Sequence, residues 1–132
     1  MMRGDTLLIR LMIVLALISG LACSRRSGDS GTAAVNAPSI QEKAWTEIRG
    51  GALLVDVRTQ QEFDQGHLEG ALLIPHTEIA SRASELGSDK DRAIVLYCRS
   101  GSRSSQAKQA LEKLGYTNVM NAGGYESMKR AQ

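Results

Sequence analysis

The chain has only two cysteines among its 132 residues, Cys23 and Cys98. Cys23 falls at the end of an N-terminal leader, so Cys98 has no partner for a structural disulfide. The two histidines, His67 and His76, share no ligand spacing with a single cysteine, which excludes a zinc site. The apolar run at residues 11–18 is too short for a spanning helix, which needs about 20 residues. There is no charge excess in the main body either. From Ser39 onward, twelve basic residues balance twelve acidic ones, and the whole-chain net charge of +2 comes from the residues before it. Nothing in that balance points to nucleic acid or to a polybasic membrane patch. Internal repeats and coiled-coil heptads are also missing, and no redox cofactor or metal is implied.

The first 22 residues have the layout of a secretory signal: a charged start, an apolar stretch, then the small-residue exit Ser19-Gly20-Leu21-Ala22. The exit resembles a bacterial lipobox ahead of Cys23, with Gly20 where leucine is usual. Lipidation of Cys23 is therefore the expectation, against simple secretion with an incidental cysteine or an uncleaved anchor. Ser24, in place of an aspartate, favours the outer membrane in a host with two membranes. Either way the chain is expected to face the cell envelope. Residues 23–38, rich in Ser, Gly, Ala and Asn, read as a flexible tether, which leaves 39–132 as one small folded domain.

Within that domain, Ser39-Ile40-Gln41-Glu42 is a capping box opening a helix that turns Ala44, Trp45 and Ile48 inward, ended by Gly50-Gly51. The apolar run 52–57 predicts a strand covered on both faces. Thr59-Gln60-Gln61-Glu62 is a second capping box before a short helix. Residues 71–74 predict a short strand stopped by Pro75, and 77–86 a helix with Ile79, Ala83 and Leu86 on one face. A strand follows at 93–97, then a helix from Ser104 to Leu114. Val119-Met120 forms a short strand, and Gly123-Gly124 leads into a last short helix. Strands alternating with helices at this spacing predict an α/β fold with a parallel sheet. Ligands in such sheets sit beyond the carboxyl ends of the strands, where Asp56-Val57-Arg58 and Cys98 both fall.

The loop Cys98-Arg99-Ser100-Gly101-Ser102-Arg103 carries the chemistry. It places a thiol at a strand end and a helix start, with two arginines close by. N–H dipoles and positive charge there favour a thiolate, a populated nucleophile at neutral pH. A lone thiol in an oxidising compartment is otherwise buried and inert.

Taken in order, Asp56-Val57-Arg58, Glu62-Phe63, Gly66-His67-Leu68-Glu69-Gly70-Ala71, Ile74-Pro75, the loop from Cys98 to Arg103 and Asn121-Ala122-Gly123-Gly124 resemble a single-domain rhodanese, similar in style to the small exported phage-shock type. The resemblance implies a three-layer α/β/α fold with a small, mostly parallel sheet. It also implies a sulfurtransferase, in which Cys98 takes a sulfane sulfur from thiosulfate or a related donor and passes it to a thiophilic acceptor. That acceptor is cyanide in vitro, and a thiol or a protein in the cell. Backbone N–H groups from Arg99 to Arg103 would cradle the sulfur, with Ser100 and Gly101 at the turn. Arg103 would brace the loop by pairing with a carboxylate, and Arg99 and Ser102 would face the donor. Asp56 and Arg58 would form an architectural pair. His67 reads as a turn histidine bonded to backbone rather than a base, and Tyr97 as a strand end. Tyr125 departs from the tryptophan usual after the paired glycines.

Two other readings use the same residues. A persulfide carrier or partner-binding module would keep the fold without general turnover. A phosphatase or arsenate reductase of related fold would need a loop one residue longer than the four residues between Cys98 and Arg103.

Overall fold

Both capping boxes form as the sequence predicts. The structure, a computed structural model, describes residues 36–132; the expected leader, Cys23 and the tether as far as residue 35 lie outside them. Helix α1 spans Ile40–Arg49. Ser39 Oγ accepts the Glu42 N–H, and the Glu42 carboxylate accepts the Ser39 N–H at 2.6 Å. Helix α2, Gln60–Asp64, starts on the Thr59–Glu62 pair in the same way. Each box satisfies N–H groups that a helix start otherwise leaves without partners.

Four strands form one sheet: β1 (Leu53–Asp56), β2 (Leu72–Leu73), β3 (Ile94–Cys98) and β4 (Val119–Gly124), in the order β2-β1-β3-β4. Every pairing is parallel. Helix α3 spans Ser102–Lys113 and helix α4 Tyr125–Arg130. All five residues of the inner strand β3 are buried, so its side chains have no polar face to present. Alternation along the strands divides the core in two. Val55, Val57, Leu96 and Cys98 join Ala107, Leu111, Ile79 and Leu86 on one face. Leu54, Val95 and Tyr97 join Ala44, Trp45 and Met128 on the other. These two apolar layers give the expected α/β/α arrangement, and each fully buried Leu or Val contributes about 1.5–3 kcal/mol. Trp45 pins α1 to α4 by donating its indole N–H to the Met128 carbonyl at 2.8 Å.

Three elements differ from expectation. Residues 77–86 do not form a regular helix; turns lead into a single 3-10 segment, Ala83–Leu86. The apolar spacing correctly marks the buried side chains Ile79, Ala83 and Leu86, but the last turn is tightened. The Tyr116 hydroxyl donates at the Ala83 carbonyl at 2.8 Å, and the Gly87 N–H bonds to Ser84 instead. Helix α3 starts two residues early, taking in Ser102 and Arg103. Strand β4 runs on through Asn121-Ala122-Gly123-Gly124, residues that locally favour a turn. Asn121 accepts the Gly123 N–H at 2.9 Å, and the chain still pairs Gly124 with Cys98.

Candidate active site

Cys98 ends β3, and the loop after it turns directly into α3. The turn depends on Gly101, which adopts φ 99° as the N-cap of α3, a left-handed conformation that disfavours side chains. Gly101 also sits against Gly123, with 3.2 Å between the Gly123 Cα and where its own Cβ would lie. Gly124 is more constrained: a Cβ there would meet the Arg99 carbonyl oxygen at 2.7 Å. The paired glycines at the end of β4 thus let the cysteine loop lie directly against the sheet edge.

The Cys98 side chain has no exposed surface. Buried and inert is therefore not the only alternative to exposed and reactive, because this buried sulfur has polar company. The Gly101 N–H donates to Sγ at 2.9 Å, and the Ser104 hydroxyl lies 3.4 Å from it. Burial pushes the thiol pKa up. The Ser104 hydroxyl and the backbone N–H groups of Ser104, Ser100 and Gly101 outweigh it, and the net position is below an ordinary thiol. Hydrogen bonds, more than the two arginines named from sequence, are what favour the thiolate.

Arg103 is committed to a carboxylate. It grips Glu62 in a bidentate pair, Nη1 to Oε2 at 2.6 Å and Nη2 to Oε1 at 2.8 Å. The Arg103 bond, set against a smaller effect of burial, holds the Glu62 carboxyl down at about 2. Asp56 and Arg58 form a buried pair, with Nη2 to Oδ2 at 2.7 Å, and Arg58 also donates to the Gly66 carbonyl at 2.7 Å. Its guanidinium lies 4.4 Å from the Tyr125 ring centroid, so Tyr125 covers the pair where a tryptophan was the expectation. Arg99, Ser100 and Ser102 are exposed. Arg99, Arg58, Gly66, Tyr125 and Glu126 line a cleft of about 470 Å³ beside the loop; Ser102 does not. His67 Nδ1 donates to the Phe63 carbonyl at 3.0 Å, and the Tyr97 hydroxyl accepts the Leu68 N–H.

Three residues at this site escaped the sequence reading: Glu62 as the partner of Arg103, and Ser104 and Asn121 behind the sulfur. Ser104 Oγ lies 2.7 Å from Asn121 Oδ1, and Asn121 Nδ2 donates to the Gly101 carbonyl at 3.0 Å. The signal for Glu62 was its second role as the N3 residue of a capping box. Asn121 opens the element Asn121-Ala122-Gly123-Gly124, but nothing in the local sequence assigns it, or Ser104, a place behind the sulfur. Among the described residues no cluster of His, Cys, Asp and Glu could hold a metal ion, and no helix is long and apolar enough to cross a membrane.

Comparison with known proteins bears on the same region. The rhodanese-like domain family matches residues 40–131. The thiosulfate sulfurtransferase PspE of Escherichia coli is 39% identical over 74 residues, covering 56% of this chain and 71% of that protein. A sulfurtransferase of Allochromatium vinosum is 49% identical over 72 residues, 54% of this chain and 65% of that one. Among solved structures, a rhodanese with anions from E. coli aligns with a TM-score of 0.55 at 39% identity, covering 57% of this chain and 88% of that chain. The human single-domain sulfurtransferase TSTD1 aligns with a TM-score of 0.60 at 31% identity, covering 73% and 96%. Fold, loop and sequence agree: the chain belongs to the rhodanese-like family, as a single-domain rhodanese among sulfurtransferases.

Proposed function

We propose that this rhodanese moves a sulfane sulfur from thiosulfate, or a related donor, through a Cys98 persulfide to a thiophilic acceptor. The observation that carries the reading is the hydrogen-bonded sulfur at the start of α3, with the Gly101 N–H at 2.9 Å. Cys98 thiolate attacks the outer sulfur of the donor. The new S–S bond forms as the donor's own S–S bond breaks, and sulfite leaves with the electron pair. A nucleophile then takes the outer sulfur and returns the pair to Sγ. The N–H groups that favour the thiolate also face anionic charge on the bound sulfur. Arg99, exposed on the adjoining cleft, meets the anionic donor. Asp56 and Arg58 hold the strand end beneath it. The identity of PspE as a thiosulfate sulfurtransferase supports thiosulfate as the donor.

A phosphatase reading fits less well. Four residues between Cys98 and Arg103 leave a loop sized for one sulfur, and Arg103 is committed to Glu62 rather than turned to an oxyanion. The chain is also proposed to be exported and held at a membrane through lipidated Cys23, a reading supported by residues 1–23 alone. Cys23→Ser should move the protein out of the membrane fraction without changing sulfur transfer. Retention in that fraction would count against the anchor.

The test of function is thiosulfate:cyanide sulfurtransfer by the purified protein beside its Cys98→Ser variant. Turnover in the parent alone supports the proposal. Turnover in neither, with the fold intact, moves the reading to a persulfide carrier serving one protein partner.

A further inference from the structure

Ser104 has one hydroxyl proton and three acceptors around it. It is fully buried, and its Oγ lies 2.7 Å from Asn121 Oδ1, 3.0 Å from the Gly101 carbonyl and 3.4 Å from Cys98 Sγ. The Gly101 carbonyl is already served by Asn121 Nδ2 and by the Ser105 N–H, each at 3.0 Å. A carbonyl oxygen has two lone pairs, so that acceptor is full. The Asn121 amide is fixed in orientation, because Nδ2 faces a carbonyl and Oδ1 accepts the Gly123 N–H at 2.9 Å. The Ser104 proton therefore has two destinations, Asn121 Oδ1 and Cys98 Sγ.

We propose that Ser104 is a leaving-group donor: its hydroxyl turns from Asn121 Oδ1 to Sγ as the persulfide discharges, with Asn121 as the positioning residue that holds the proton while the persulfide stands. The inference rests on the two-step sulfur transfer proposed above. In the persulfide, Sγ has two covalent bonds and no formal charge, so the stronger acceptor is the amide oxygen. As the acceptor nucleophile binds the outer sulfur, the Sγ–S bond breaks and its electron pair returns to Sγ. Negative charge grows there, and the hydroxyl follows it. A hydrogen bond that exists in the transition state but not in the ground state accelerates its step. In loading the sense is reversed, because charge leaves Sγ and the same bond must weaken. Ser104 thus speeds discharge and gives no help to loading. The two arginines Arg103 and Arg58 already have carboxylate partners, Glu62 and Asp56, and neither donates a hydrogen bond to Sγ.

The experiment measures each half-reaction in a single turnover, as sulfite released from thiosulfate on loading and thiocyanate formed from cyanide on discharge. Parent, Ser104→Ala and Ser104→Thr are compared at a pH where ultraviolet thiolate absorbance is saturated in all three. Ser104→Ala should discharge about tenfold slower, the scale of a hydrogen bond to a charged group, while loading at least as fast as the parent. Parental loading also shows that the variant is folded. Ser104→Thr, which keeps the hydroxyl, should restore most of the discharge rate. Equal losses in both half-reactions, no loss in Ser104→Ala, or equal slowing in Ser104→Thr would overturn the inference. A parent that never loads overturns the proposed function and this inference with it; a parent that loads and discharges while Ser104→Ala matches it overturns this inference alone.

Discussion

Glu62 and Arg103 stand 41 residues apart in sequence and close a bidentate ion pair of 2.6 and 2.8 Å across the mouth of the cysteine loop. The pair ties the first turn of α3 to the start of α2, so the loop is held at both ends. Glu62 serves both sides, since the same carboxylate accepts the Thr59 N–H that starts α2.

That pair sets a pH dependence. Bonding to Arg103 holds Glu62 at about 2, below its ordinary 4.5. A carboxylate depressed on folding contributes its full stabilisation above the ordinary value and loses it as pH falls through the folded one. Parent protein should therefore lose stability between about pH 4.5 and 2. Glu62→Gln should be less stable than parent at neutral pH by about 1–2 kcal/mol, with the difference shrinking toward pH 2. Urea denaturation at several pH values measures it, and a difference unchanged down to pH 2 would count against the pair.

The buried Asp56–Arg58 pair predicts a larger effect. Arg58→Met leaves the Asp56 carboxylate buried beside the Arg58 backbone N–H, with its guanidinium partner gone. The expected loss is about 3–5 kcal/mol. Replacing both, as Asp56→Leu with Arg58→Met, should recover most of it, because no charge is then left unpaired. Chemical denaturation of the three proteins tests the pair; additive losses in the double variant would show that the two residues act separately.

Most of the architecture was legible before the structure because it is written in local signals. Ser39–Glu42 and Thr59–Glu62 are complete capping boxes, and 93–97 is an apolar run that only a covered strand explains. Cys98, at a strand end before a helix, identified itself. What was not legible depends on contacts between distant residues. The tightened turn at Ala83 comes from the Tyr116 hydroxyl, 33 residues away. Strand β4 continues through two glycines because the Arg99 carbonyl has to pass Gly124 closely. Ser104 reads as an ordinary helix residue until β4 brings Asn121 behind it, 17 residues on.

Gly124 supplies a steric prediction. Gly124→Ala would place a Cβ 2.7 Å from the Arg99 carbonyl oxygen, nearer than real contacts allow, so the cysteine loop must shift. The N–H donors would then lose their aim at Sγ. Iodoacetamide alkylation of Cys98 as a function of pH should report a thiol pKa moved upward, and sulfur transfer should fall at least about tenfold. A parental alkylation profile in that variant would mean that the loop tolerates the displacement.

The central claim is that sulfur passes through Cys98, and the most direct measurement is the mass of the protein itself. After incubation with thiosulfate and removal of excess donor, the parent should gain the mass of one sulfur atom, localised to the peptide containing Cys98. Cyanide should remove it with formation of thiocyanate. Cys98→Ser should gain nothing. No gain in the folded parent, or an equal gain in Cys98→Ser, would contradict the account.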